Sequence, residues 1–320
     1  MTAKFDHIRI GMLLPALLAI SAIMPCSALA QAPPFLLQWG TLGAGAGQMD
    51  RPYSVAVDAS GNVYVGELAN GRIQKFTANG AYITQWPTGG TFPVGVAVDL
   101  AGNVYVAGIY SIKKFTDNGA LVAVWTAGIA QNGAWAVAVD AGGNVYATDN
   151  DFNRVQKFSG DGTLITQWGG FGSGDGQFSY PMGVAVDPSG FVYVVDRDHD
   201  RIQKFTSSGG FVANWGTLGP GSGQIGGPWA LAADGTGRVY VTEDETISQI
   251  RVFSSDGNPL AAWGGQGSGT GQFDSPQGVA VDANGNVYVA DTNNNRIQKF
   301  GPLPTPTKAT SWGRLKALYR

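Results

Sequence analysis

The stretch Pro276 to Phe300, PQGVAVDANGNVYVADTNNNRIQKF, constrains this chain more than any other. It reads as three short strands (VAVD, NVYVAD and RIQKF) rich in β-branched and aromatic residues and separated by Asx/Gly turns. One such unit cannot bury both faces of so small a sheet, so copies of it must stack on one another.

Six copies align on the aspartate that closes the first strand: Asp58, Asp99, Asp140, Asp187, Asp234 and Asp282. Their spacings of 41, 41, 47, 47 and 48 residues suit four-stranded propeller blades. A glycine precedes each second strand (Gly61, Gly102, Gly143, Gly190, Gly237 and Gly285), where a tight hairpin needs positive φ. Third strands follow, then a second turn and a fourth strand ending in Trp86, Trp125, Trp168, Trp215 or Trp263. The sixth copy lacks its fourth strand, and Phe35-Leu36-Leu37-Gln38-Trp39 resembles the missing piece at the other end of the chain. The simplest closure joins this strand to the sixth blade, which hides both chain-end edges. The fold class expected is all-β, a six-bladed β-propeller of four-stranded blades whose ring is closed by residues 35–39.

Four connections between blades share the form WGxxGxGxGQ with a following proline, as in WGGQGSGTGQFDSP. A phosphate loop needs Gly-Lys-Ser/Thr and a dinucleotide loop needs a following helix, and neither is present. The glycines are expected to permit a sharp crossing from an outer strand to the next inner strand, packed by the glutamine and an aromatic residue.

Residues 1–30 read as a leader: Lys4 and Arg9, an apolar run from Met12 to Met24, and Ala28-Leu29-Ala30 ahead of Gln31. Cleavage after Ala30 removes Cys26, the single cysteine, and leaves an exported protein without disulfides. The apolar run is too short and too broken by Pro15 for a comfortable span, so no membrane span is expected after cleavage. The location expected is periplasmic, cell-surface or extracellular. Residues 31–300 form the propeller, and residues 301–320 are a Pro/Thr linker and a short basic, aromatic tail whose pattern over Ser311–Arg320 suits a short helix with a docking, sorting or surface-binding role. The whole chain carries 20 Lys+Arg against 23 Asp+Glu, a mildly acidic balance that argues against nucleic acid as a partner.

The repeat, with copies such as VAVDANGNVYVADTNNNRIQKF, resembles the NHL-repeat family over residues 35–300. The resemblance implies a six-bladed propeller and leaves activity open, because this fold carries many functions. Two related groups bear on chemistry. Gluconolactonase-like propellers hold a divalent ion in the channel with carboxylate and Asn oxygens. Amidating lyases hold zinc with several histidines, whereas the chain past residue 30 has only His199.

Acid and arginine recur at the second hairpin: Glu67/Arg72, Asp149/Arg154, Asp196/Arg201, Asp291/Arg296 and, more loosely, Glu243/Arg251. Repetition in nearly every blade is what structural ion pairs predict, since a catalytic site is used once. Blade two departs, with Gly108-Ile109-Tyr110-Ser111 in that loop. His199 with Asp198 and Asp200 is the most reactive-looking cluster. The position opening each inner strand behaves differently: it reads Tyr53, Val94, Trp135, Met182, Trp229 and Gln277, variable and often large, and should ring one mouth of the channel. These side chains either bind a ligand or plug the mouth.

The reading favoured is an exported, non-catalytic propeller, a monomer that binds a protein, peptide or glycan through one face. No cofactor is expected and no catalytic residue is assigned, with a channel calcium or other divalent ion left open. The alternative is a hydrolase or lyase dependent on a channel metal, of the gluconolactonase-like kind.

Overall fold

The computed structural model describes residues 30–108, 110–126, 133–244 and 247–304. The expected leader up to residue 29 and the tail from residue 305 lie outside the described residues. Six four-stranded antiparallel sheets form the blades. In blade one the order outward is Pro52–Val57, Val63–Glu67, Arg72–Phe76 and Tyr82–Pro87. Blade six pairs Pro276–Val281, Val287–Asp291 and Arg296–Phe300, and its outer strand is Phe35–Trp39, with Trp39 opposite Ile297. The ring therefore closes as the sequence predicts, and the Gly301 N–H donates to the Pro34 carbonyl at 2.7 Å beside that joint.

The repeated aspartate organises the turn after each inner strand. Asp58 Oδ1 accepts the N–H groups of Ser60 and Asn62 at 2.9 and 2.8 Å, while its Oδ2 accepts Asn62 Nδ2 at 2.8 Å and the Tyr64 hydroxyl at 3.1 Å. Gly61 supplies the positive φ of 82° that this turn requires. Every blade repeats the tyrosine contact, through Tyr105, Tyr146, Tyr193, Tyr240 and Tyr288. All six rings are fully buried. Burial first, and the neighbouring aspartate second, hold these phenols above their usual pKa; in Tyr193 the hydrogen bond to Asp187 outranks its charge.

Five of the six blade boundaries share repeated contacts; between blades five and six Val252 stands at the lysine position and Trp263 meets Phe300 instead of a turn glycine. The outer-strand tryptophan of one blade lies flat on the glycine of the next blade's second turn: a Cβ at Gly80 would come within 2.8 Å of the Trp39 ring, and one at Gly119 within 2.5 Å of Trp86. A lysine on the third strand crosses its own tyrosine ring and donates to a carbonyl of the next blade, as Lys114 does to Gly160 at 3.0 Å. Lys299 reaches Ala78 at 3.0 Å, so the boundary between blades six and one, where the two chain ends meet, is built like those between consecutive blades from one to five.

Candidate functional site

Antiparallel order divides the ring into two faces. The turns after the inner strands and those after the third strands lie on one, the turn face. The hairpins between second and third strands lie on the other with the blade crossings; this is the loop face.

On the loop face each predicted acid meets its arginine. Nε lies 2.6 Å from the carboxylate in Arg72–Glu67, 2.8 Å in Arg154–Asp149, 2.7 Å in Arg201–Asp196 and 2.7 Å in Arg296–Asp291. In blade five Gln249 stands opposite Glu243 where blades one, three, four and six have arginine, and Arg251 stands two residues on, where those four have glutamine. Residues two apart on a strand share a face, so the exchange keeps both side chains on the same carboxylate, Arg251 at 2.8 Å and Gln249 at 2.5 Å. All five carboxylates are buried. Burial pushes the Asp291 carboxyl above the usual range, against hydrogen bonds from the Asp274 N–H, Arg296 and Asn294.

The same side chains clamp the glycine-rich crossings. Arg296 donates to the carbonyls of Ser268, Gly269 and Gln272 at 2.8 to 3.0 Å. Gln298 accepts the Gly271 N–H at 2.9 Å, and Gln272 accepts the Gly269 N–H at 3.1 Å. A Cβ at Gly267, where φ is 151°, would lie 2.5 Å from the Gln272 side-chain oxygen. These amide donors are thus consumed inside the loop, which is the physical reason it is no phosphate cradle. Blade two has Gly108 and Ser111 in place of the pair, and there Lys113 holds the shorter crossing by donating to the Thr88 and Gly89 carbonyls at 2.7 and 2.9 Å.

A channel cation would need convergent oxygens. The narrow part of the channel is instead lined by Ser54, Gly95, Ala136, Gly183, Ala230 and Gly278 with valines, and Ser54 Oγ donates to the Pro93 carbonyl at 3.0 Å. Among the described residues no three His, Cys, Asp or Glu side chains are placed to hold a metal ion. The hairpin carboxylates, each committed to its own arginine or glutamine, do not fit that role. His199 has a partner other than those its sequence neighbourhood suggests: Nδ1 lies 3.0 and 3.1 Å from the two oxygens of buried Asp196. Asp198 accepts Ser179 Oγ, and Asp200 accepts the Gly227 N–H.

The six variable positions do surround the loop-face mouth. Tyr53, Trp135 and Trp229, from alternate blades, meet one another edge to face, with centroids 6.0 Å apart for Tyr53–Trp229 and 6.3 Å for the other two pairs. Rings from three blades in mutual contact close the channel here. Tyr53 and Met182 are buried, while Val94, Trp135, Trp229 and Gln277 keep part of their surface open. The alternation has a backbone cause in the residue that follows. Blades two, four and six carry Gly95, Gly183 and Gly278, where a Cβ would lie 2.8 to 2.9 Å from the Ala136 Cα, the Ala230 Cα and the Tyr53 carbonyl. These glycines let their inner strands press against the aromatic-bearing ones.

A second ring, absent from the sequence reading, stands one residue past the paired acids. It comprises Leu68, Asn150, Arg197, Asp244 and Thr292, with Ile109 outside the described residues. The Arg197 guanidinium lies 4.6 Å from the Trp229 ring. Asp244 accepts Ser275 Oγ and, at 3.4 Å, Gln277 Nε2. Asn150 Nδ2 approaches the Met182 sulfur at 3.8 Å, and Thr292 donates to the Pro52 carbonyl at 2.7 Å. Burial, then the Asp244 charge, hold the Tyr53 phenol above its usual pKa. The available sequence signal was variability directly after an acid that recurs in five of the six blades. Further out, Leu42, Phe171 and Leu218 occupy one equivalent crossing position and are 64, 77 and 71 % exposed.

The turn-face mouth is open. A cavity of about 330 Å³ is walled by Val98, Val139, Val186 and Ala233, with Leu100 and Pro188 at its rim.

A family model for the NHL repeat matches residues 178–205 and 273–300. Among curated protein sequences none matches. Similar solved structures include a Bacteroides thetaiotaomicron protein of unknown function (17% identity, TM-score 0.64, 83% of this chain and 76% of that one). A streptogramin B lyase superposes at 15% identity and TM-score 0.59 over 83% of this chain and 96% of that one. A gluconolactonase from Xanthomonas campestris does so at 17% and 0.59 over 86% and 97%. Such identities establish the fold alone. The matched segments fall in blades four and six, which carry the NHL repeat; the other four blades repeat their turns and buried tyrosines within the same six-bladed β-propeller, which supports a relation of the whole ring to the NHL-repeat propellers.

Proposed function

We propose that this chain is an exported, non-catalytic binding propeller that takes a protein, peptide or glycan partner on its loop face. One observation carries the reading. Apart from the outer strands, the exposed large apolar side chains of the described residues gather there: Leu42, Phe92, Tyr110, Phe152, Phe171, Tyr180 and Leu218, against Leu100 on the turn face. Apolar surface displayed from loops clamped by buried ion pairs suits recognition, since little order has to be gained on binding. Trp135 and Trp229, partly open at the centre, join the same surface.

The test is capture of partners from the envelope fraction by the chain and by its Phe171→Ser/Leu218→Ser variant. Loss of at least ten-fold in the captured partner, with unfolding stability changed by less than about 0.5 kcal/mol per site, supports the reading; equal capture sinks it. The second reading, a channel-metal hydrolase or lyase, draws on the His199–Asp196 contact, which fixes a ring orientation as a general base requires. One divalent ion per chain retained through dialysis, with turnover of a lactone, would put that reading first.

A further inference from the structure

The turn-face cavity lies on the side of the ring where the chain leaves the propeller. The strand Arg296–Phe300 ends on that face, and Pro302 packs on the blade-six turn: a Cβ at Gly285 would lie 3.2 Å from the Pro302 Cβ. That turn follows Asp282, one of the six aspartates that ring the mouth. The cavity has an aliphatic wall of Val98, Val139, Val186 and Ala233, and four of those aspartates, Asp99, Asp140, Asp187 and Asp234, are among its lining residues. Its volume of about 330 Å³ falls within the range of pockets that take a small molecule or a large side chain.

An occupant matching this site needs an apolar anchor and positive charge around it. Residues 305–320 supply both. They contain Trp312, Leu315 and Leu318 together with Lys308, Arg314, Lys316 and Arg320, and no acidic residue. Trp312 comes eight residues after Pro304, a reach of up to about 27 Å in extended chain. From these observations we propose that the open, turn-face mouth is the receptor for the chain's own C-terminal segment, residues 305–320. The apolar side chains enter between the valines, and the basic ones lie over the aspartate ring. The proposal concerns the face opposite the partner surface and stands whether or not that surface binds as described.

The experiment compares the full chain with one ending at Pro304, using a fluorescein-labelled peptide of residues 305–320 as the probe. The truncated chain should bind the peptide at least ten-fold tighter than the full chain, whose tethered segment competes at high effective concentration. Binding should weaken several-fold on raising salt from 50 to 500 mM, as exposed charge pairs are screened. Ala141→Trp, which fills the cavity from its rim, should abolish it, and Trp312→Ala in the peptide should cost at least ten-fold. Equal binding to both chains, no binding at millimolar peptide, or indifference to Ala141→Trp would overturn the proposal. Should the shortened chain fail to fold, the full chain carrying Ala141→Cys and Trp312→Cys decides the matter. A disulfide within one chain, seen by mass spectrometry, supports the proposal; disulfides only between chains, or none, refute it.

Discussion

The two ends of the channel are made from the same six strands, yet they differ in nearly every respect. At the turn end each blade repeats one solution: an aspartate that binds two backbone amides and a buried tyrosine, a glycine with positive φ, and small or aliphatic walls around an open mouth. At the loop end the mouth is shut by Tyr53, Trp135 and Trp229, and around it no two blades present the same side chains. Beneath that variety lies a second repeated device, the buried arginine–carboxylate clamp on the crossing loop. Repetition marks what the ring needs in order to close. Departure from it marks where each blade has been free to change.

Three predictions break this contrast at different points. The largest effect is collective and belongs to the turn end. An unfolded phenol ionises near pH 10, whereas the six tyrosines bound to aspartate hold their protons above that. Above pH 10 the unfolded chain therefore releases protons that the native chain retains, and stability falls as pH rises. The urea midpoint should be level from pH 7 to 9 and then drop steeply, with the share of the 295 nm phenolate absorbance that belongs to these six appearing only on unfolding. Ionisation in the still-folded chain of more than the five tyrosines outside this set of six would contradict the burial.

Next in size is the loop-end clamp. Arg296→Ala strands the Asp291 carboxylate in a buried site and frees the Ser268 to Gln272 carbonyls, at a cost of about 3–5 kcal/mol in urea unfolding. The equivalent loss at Lys113 in blade two should be far milder, because that lysine leaves no buried acid behind. Equal costs would mean that the clamp acts through its loop contacts alone.

The smallest effect separates the aromatic mouth from the strands beneath it. Gly278→Ala places a methyl group 2.9 Å from the Tyr53 carbonyl and 3.1 Å from the Ser54 Cα, which should cost about 1–3 kcal/mol. It should also pry the Tyr53–Trp135–Trp229 cluster apart, visible as a change in near-ultraviolet circular dichroism at unchanged far-ultraviolet signal. A neutral result would show that the alternation of glycines has no part in closing the mouth.

How far the residues alone could be read follows from the physics of repeats. Blade count, strand order, the glycine turns and the closing strand Phe35–Trp39 were all legible, because each is fixed by local turn chemistry or by a period that recurs six times. The acid–arginine pairs were legible for the same reason, and even the loosely matched Glu243/Arg251 forms, by an exchange of Arg and Gln on one strand face. The positions that would ring the mouth were legible too, since six copies of one strand must converge on an axis.

What the tertiary structure alone decided is what those side chains meet. Whether Tyr53, Trp135 and Trp229 touch depends on inner-strand separations set by Gly95, Gly183 and Gly278, a backbone approach that no single repeat reports. His199 turned from its neighbours Asp198 and Asp200 to Asp196, which the short helix Arg197–His199 places three residues before it on the same side. The second ring of Asn150, Arg197 and Asp244 emerged only when separate blades came together. Sequence determined this protein's scaffold, since local turns and a repeated pattern suffice to specify it; its two mouths, assembled from residues far apart in the chain, belong to the closed ring.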